Sequence, residues 1–130
     1  MPAYDSTSFD PPAPLARVTL RDPKSGDTMS DVVLLLNTGA DVTLLPQVPV
    51  NQLGVPLIPD LRYELMSFDG RTSFAPVVQM EMIFLNRVFS GQFLLIDQER
   101  GTLGRDVLNH LSLLLDGPRL TWLEQQSGNQ

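Results

Sequence analysis

The stretch Leu34-Leu35-Leu36-Asn37-Thr38-Gly39-Ala40-Asp41 joins an apolar run to a turn of small residues. The aliphatic run it ends, residues 32–36, reads as a strand buried on both faces. Five such residues fall far short of the roughly 20 that cross a bilayer, so the run belongs inside a protein core. Thr38-Gly39-Ala40 then forms a tight turn, where Gly39 admits a backbone approach that a side chain would block. Upstream, Ala16, Val18 and Leu20 alternate with Arg17, Thr19 and Arg21, the period of a half-buried strand. Asp22-Pro23-Lys24-Ser25-Gly26-Asp27 supplies the turn between the two strands.

Downstream, residues 62–68 read as a strand that meets the hairpin signal Asp69-Gly70 and resumes over residues 72–85. Pro76 inside the second arm marks an edge or a bulge. Asn86-Arg87 turns the chain into a further strand over residues 88–96. One helix is predicted, over residues 106–115, from apolar Val107, Leu108, Leu111, Leu114 and Leu115, with Asp116-Gly117-Pro118 as its stop. A last strand follows over residues 119–124, anchored by Trp122. Eleven prolines fall between the apolar runs, as they do when short strands are joined by turns. The fold class is therefore all-β.

At 130 residues the chain has room for one domain with one core. A flexible N-terminal arm is expected over residues 1–14, the domain over 15–124, and a polar tail over 125–130. Nine basic against fifteen acidic residues leave a formal charge of −6, which argues against nucleic acid and anionic membranes as partners. There is no cysteine and one histidine, His110, so neither a thiolate nucleophile nor a Cys- or multi-His-ligated metal is available. No cofactor is expected. His110 has no nucleophilic serine in a Gly-x-Ser-x-Gly elbow and reads as a structural histidine. The first residues lack the apolar stretch of a secretion signal, and a cytoplasmic location is expected.

The segment around Asn37 resembles the retropepsin-like aspartic proteases, whose signature is two or three apolar residues followed by Asp-Thr/Ser-Gly-Ala. Thr102-Leu103-Gly104-Arg105-Asp106-Val107-Leu108 resembles the same family's apolar-Gly-Arg-Asp/Asn-apolar segment. The two segments stand in the family's order and spacing, and residues 63–78 occupy the place of its flap hairpin. The resemblance implies an acid-protease barrel with a flap and one short C-terminal helix. It also implies a homodimer, because peptide hydrolysis there uses two carboxylates, one per chain, and this chain holds one such motif. By resemblance, Asn37, Thr38 and Gly39 form the catalytic turn, Thr38 cross-links the two turns, and Asp41 pairs with Arg105. The expected peptide-contacting positions are Leu35, Ala40, Asp41, Val42, Leu44 and Thr102, with Ser67, Phe68, Asp69 and Gly70 from the flap. The partners implied are a second copy and a peptide or protein substrate.

The chain departs from the family at one decisive atom. Asn37 stands where the family has its catalytic Asp, and a carboxamide cannot act as general acid or base. The Asn37 form is expected to be inactive. An Asp-to-Asn change made to stop turnover fits the retained Thr38, Gly39, Ala40, Asp41, Gly104 and Arg105; the alternative is a natural pseudoprotease that dimerises or binds peptides.

Overall fold

The alternation along β2 (Ala13–Arg21) survives folding intact, with Ala16, Val18 and Leu20 buried among aliphatic neighbours. In the computed structural model, which describes residues 2–66 and 69–125, β2 runs antiparallel to β3 (Thr28–Leu36), joined by the Asp22–Asp27 turn. Along β3, Val32 and Leu34 are buried while Val33, Leu35 and Leu36 are half-buried. Beyond it come β4 (Leu44–Pro46), β5 (Arg62–Met66), β6 (Thr72–Phe84), β7 (Arg87–Ile96) and β8 (Gly101–Leu103). With β1 (Tyr4–Asp5) they form one sheet in the order β1-β2-β3-β8-β4-β7-β6-β5. Pairing of Thr19, Leu20 and Arg21 on β2 with Ile83, Met82 and Glu81 on β6 closes the sheet on itself. Closure removes edges that would otherwise template aggregation and encloses a core of aliphatic, Met and Phe side chains.

The turn between β6 and β7 has both central residues, Leu85 and Asn86, at positive φ, the primed geometry whose twist matches a two-residue hairpin. Pro76 lies where β6 changes partner: residues 72–76 pair with β5 and residues 77–84 with β7. A residue without an N–H is tolerated at that handover, where one side of the ladder has ended. A second cluster of Ala75, Val77 and Leu94, packed by Leu44, Ile58, Leu61 and Leu65, fills the root of the β5–β6 hairpin.

Two helical segments depart from the prediction. The seven residues of α1 (Gln47–Leu53) bury Val50 and end at Gly54, whose φ of 75° closes the last turn. Pro46, Pro49 and the short length masked this helix in the sequence; Pro49 is tolerated because first-turn N–H groups have no intrahelical partner. The helix expected over residues 106–115 is only α2 (Arg105–Leu108), and the chain turns through His110 and Leu111 into a strand, β9 (Leu113–Asp116). β9 pairs antiparallel with β10 (Thr121–Glu124), Leu115 lying opposite Trp122. The helical spacing of Val107, Leu108 and Leu111 is real; Leu114 and Leu115 continue it by coincidence, and a downstream strand in pairing range overrides local propensity. Asp116-Gly117-Pro118 is accordingly the bend of a hairpin, with the Leu120 N–H donating to the Gly117 carbonyl at 3.0 Å.

Trp122 is 1% exposed and its indole N–H donates to the Leu15 carbonyl at 2.8 Å, which pins the last strand to β2. Within the segment expected as an arm, Tyr4 and Asp5 pair with Pro14 and Ala13. Arg100 holds the same segment through the Ser8 hydroxyl at 2.6 Å, the Asp5 carboxylate at 3.7 Å and the Phe9 ring. No helix among the described residues is long and apolar enough to cross a membrane.

Candidate active site

Asn37 emerges at the end of β3, where that strand runs parallel to β8 with Leu34, Leu35 and Leu36 opposite Gly101, Thr102 and Leu103. Its N–H continues the ladder by donating to the Leu103 carbonyl at 3.0 Å. The chain then doubles back: Gly39 N–H donates to the Asn37 side-chain oxygen at 2.9 Å, and Ala40 N–H to the Asn37 carbonyl at 3.2 Å. A Cβ on Gly39 would lie 3.1 Å from that side-chain oxygen, so glycine leaves the carboxamide uncrowded. Thr38, Gly39 and Asp41 are exposed, and Asn37 and Ala40 half-buried, which leaves the turn open to a partner or ligand.

Arg105 fastens this turn to α2. Its guanidinium donates to the Thr38 carbonyl at 2.6 Å and forms an ion pair with the Asp41 carboxylate, while its backbone N–H donates to the Ala40 carbonyl at 2.9 Å. The planar fork of arginine suits two acceptors set side by side, which a lysine ammonium would not match.

Beneath the turn lies a second, partly buried link. The Thr43 hydroxyl, on a residue 1% exposed, donates to one oxygen of Asp106 at 2.7 Å, and the Thr43 N–H donates to the other at 3.0 Å. The same hydroxyl oxygen accepts from Gly104 N–H at 3.1 Å, so the segments before and after the turn are stitched without an orphaned group. Among the described residues no buried side-chain polar atom lacks a partner. Gly104 is required by space: a Cβ would stand 2.5 Å from the Val42 carbonyl carbon and oxygen. Gly101 is tighter still, its Cβ falling 2.2 Å from the Leu44 carbonyl oxygen.

Of the residues singled out in the sequence, Asn37, Thr38, Gly39, Ala40, Asp41 and Arg105 come together in one bonded loop. Leu35, Thr102 and Leu44 sit side by side, since Thr102 lies opposite Leu35 on one flank and Leu44 on the other. Val42 is exposed beside Gly104. Asp69 and Gly70 belong to a separate element, the bend of the β5–β6 hairpin, where Asp69 accepts from the Arg71 N–H at 3.0 Å and Gly70 has φ 82°. Ser67 and Phe68 lie outside the described residues. Thr43 was not anticipated, and Asp106 was placed only at the start of the predicted helix. Their bond spans 63 residues and has no local signal beyond a threonine set among apolar neighbours. No cluster of three His, Cys, Asp or Glu side chains able to hold a metal ion occurs among the described residues.

No family model and no curated protein matches the sequence of the chain. Its backbone does match solved structures, among them EIAV protease complexed with the inhibitor HBY-793, at a TM-score of 0.56 and 21% identity over 75% of this chain and 86% of that one. With strands in this order, one closed sheet and that neighbour, the chain has the retropepsin-like fold.

Proposed function

We propose that the chain is one subunit of a retropepsin-type aspartic endopeptidase, complete only as a homodimer, and that residue 37 is its catalytic position. The observation that carries this reading is the Asn37-Thr38-Gly39 turn itself, set at the end of β3 and clamped by Arg105 through Thr38 and Asp41. In an Asn37→Asp variant, two such turns would face each other across a two-fold axis. Their carboxylates would share one proton, one taking a proton from the attacking water and the other donating to the scissile amide. The Gly39 N–H that now reaches the Asn37 oxygen would donate to the carboxylate and favour its charged state.

The substrate fitting this frame is an extended peptide lying under the two β5–β6 hairpins, which act as flaps. Leu35, Val42, Leu44 and Thr102 border the turn, and Tyr63, Met66 and Phe74 are exposed on the hairpin. Both surfaces favour apolar side chains next to the cleaved bond.

With asparagine at position 37 the chain neither takes nor gives the proton, and it does not cleave. That residue is best read as an Asp-to-Asn change that stops turnover. A native peptide-binding pseudoenzyme is the second reading, favoured by one point: the carboxamide keeps the Gly39 bond without the repulsion of two apposed carboxylates.

The decisive experiment compares Asn37→Asp with the chain as it stands, using an apolar peptide library across roughly pH 3 to 7, the span of carboxylate titration. Cleavage that appears only in Asn37→Asp, fades on dilution and is blocked by a transition-state mimic is the expected result. Sedimentation at neutral pH should find the Asn37 chain at least as dimeric as the variant. A folded, dimeric Asn37→Asp protein that cuts nothing, while the Asn37 chain binds the peptides, would transfer the assignment to the binding module.

A further inference from the structure

We propose that the cleft between the N-terminal segment and the outer face of β2 is a binding site for a small organic carboxylate with an apolar body, gripped through Arg17. None of the residues of the Asn37 turn lines this cleft, and the proposal does not depend on how residue 37 is read. Along β2 the buried Ala16 and Val18 face the core, so alternation turns Leu15 and Arg17 outward. Residues of the N-terminal segment from Pro2 to Thr7 form the opposite wall, and the cleft between has a volume of about 610 Å³. Phe84, Leu85 and Trp122 complete an apolar lining. That volume falls within the roughly 300–1,000 Å³ of small-molecule sites, which are mostly apolar with a few polar groups that orient the ligand.

The walls are fixed by bonds of the chain itself. Trp122 N–H donates to the Pro2 carbonyl at 3.1 Å and Tyr4 N–H to the Leu120 carbonyl at 2.9 Å, which seats the N-terminal segment. The Trp122 indole is held by the Leu15 carbonyl, and Leu85 stands in the tight turn between β6 and β7. A cleft formed in advance spares a ligand the cost of ordering it.

Charge selects the ligand. Asp5 is the acid of the lining, and its carboxylate is already engaged, accepting from Thr7 N–H at 2.8 Å and Ser8 N–H at 3.1 Å with Arg100 at 3.7 Å. Arg17 is in the opposite position. Every other arginine of the chain pairs with a carboxylate or lies over an aromatic ring. Among the described residues the exposed Arg17 side chain does neither. Its planar fork suits a carboxylate, which accepts two parallel N–H bonds. A second cleft of about 420 Å³ shares Asp5, Leu15 and Arg17 but adds the carboxylates of Asp31 and Glu99, while the Arg100 there is committed to Asp5 and Ser8. Those acids repel an anion, so the ligand's head sits at Arg17 and its apolar body lies in the first cleft, against Leu15, Leu85 and Trp122.

The test titrates the isotope-labelled protein with octanoate and, separately, with octanol, which has the same chain and no charge. Trp122 is the single tryptophan, so its fluorescence reports on this cleft while the spectrum locates the site. The expected result is saturable octanoate binding that shifts the Leu15, Leu85 and Trp122 signals, with octanol at least about tenfold weaker, the scale of one hydrogen bond to a charged group. Arg17→Gln is expected to lower the octanoate affinity to that of octanol, and Arg17→Lys, which keeps the charge, to retain part of the preference. The same pattern is expected in the Asn37 and Asn37→Asp proteins; a response present in one of them alone would overturn the separation of this cleft from the active site. Equal affinity for octanoate and octanol, or octanoate binding unchanged in Arg17→Gln, would overturn the proposal. So would shifts centred on Met66 and Phe74, which are exposed on the β5–β6 hairpin, since these mark non-specific adsorption. Acetyl-phenylalanyl-leucine, a peptide end with the same carboxylate, binding tenfold tighter than octanoate would overturn the small-molecule assignment in favour of peptide C-termini.

Discussion

Thr43 shows how much a single hydroxyl decides. It is buried, its hydroxyl donates to Asp106 and accepts from the buried Gly104 N–H, so replacing it with valine keeps the shape and leaves the Gly104 N–H without its partner, while Asp106 keeps the Thr43 N–H. Leaving a buried polar group unpaired costs about 1–3 kcal/mol. Thr43→Val is expected to lower the unfolding free energy measured in urea by that margin, while Thr43→Ser, which keeps the hydroxyl, recovers most of it. Arg105 should behave in the opposite way. Its side chain is 42% exposed and that of Asp41 82% exposed, so their ion pair contributes under about 1 kcal/mol to stability. Its importance lies in holding the Thr38 carbonyl and with it the turn. In the Asn37→Asp background, Arg105→Lys is expected to leave the melting temperature nearly unchanged and to reduce kcat by about 100-fold, the scale of loss for a displaced catalytic group. A parallel fall in both would mean that Arg105 acts on stability alone.

At the scale of elements, the β8–α2 junction is set by contact between backbones. Gly104→Ala would drive a methyl group against the Val42 carbonyl, which no rotamer can relieve. We expect a loss above about 3 kcal/mol, read as failure to give a cooperative melt. Gly117→Ala, with open space around its Cβ, should stay within about 0.5 kcal/mol. The strands and the turn at Asn37 were legible in the sequence because their signals are local: alternation along β2, Asp69-Gly70 between two apolar arms, small residues after residues 32–36. What escaped depends on distant partners. β9 looked helical until Thr121–Glu124 was there to pair with it, and Asp106 looked like a helix-start residue until Thr43 came to face it. α1 escaped for another reason: Pro46 and Pro49 mimic a loop, and its one buried residue, Val50, leaves no apolar stripe to detect.

For the whole molecule, the response to acid at Asp5 and Asp22 is confined to peripheral turns and comes at lower pH than for an ordinary carboxylate. Asp5 has its pKa lowered below the usual carboxylate range, chiefly because the Ser8 N–H donates to it and then because the Thr7 N–H does. Asp22 is lowered in the same way by the Lys24 N–H. A lowered folded-state pKa means that the stabilisation is present above the unfolded value and is lost as pH falls through the folded one. The Thr7, Ser8 and Lys24 amide resonances are therefore expected to titrate with midpoints below about 3.9, the ordinary Asp value. Midpoints at or above that value would remove these caps from the account. The closed sheet, whose core is apolar, should hold through the same range.

The bond from Trp122 to the Leu15 carbonyl bridges 107 positions of the chain. During synthesis, the first residues of β2 have no lid until the 107 residues that separate Leu15 from Trp122 have followed. Contacts of such long sequence separation form late and slow the folding of β proteins. A nascent chain halted before Trp122 would carry a core open at one end, and quality control, rather than chemistry, would be the first to read the loss.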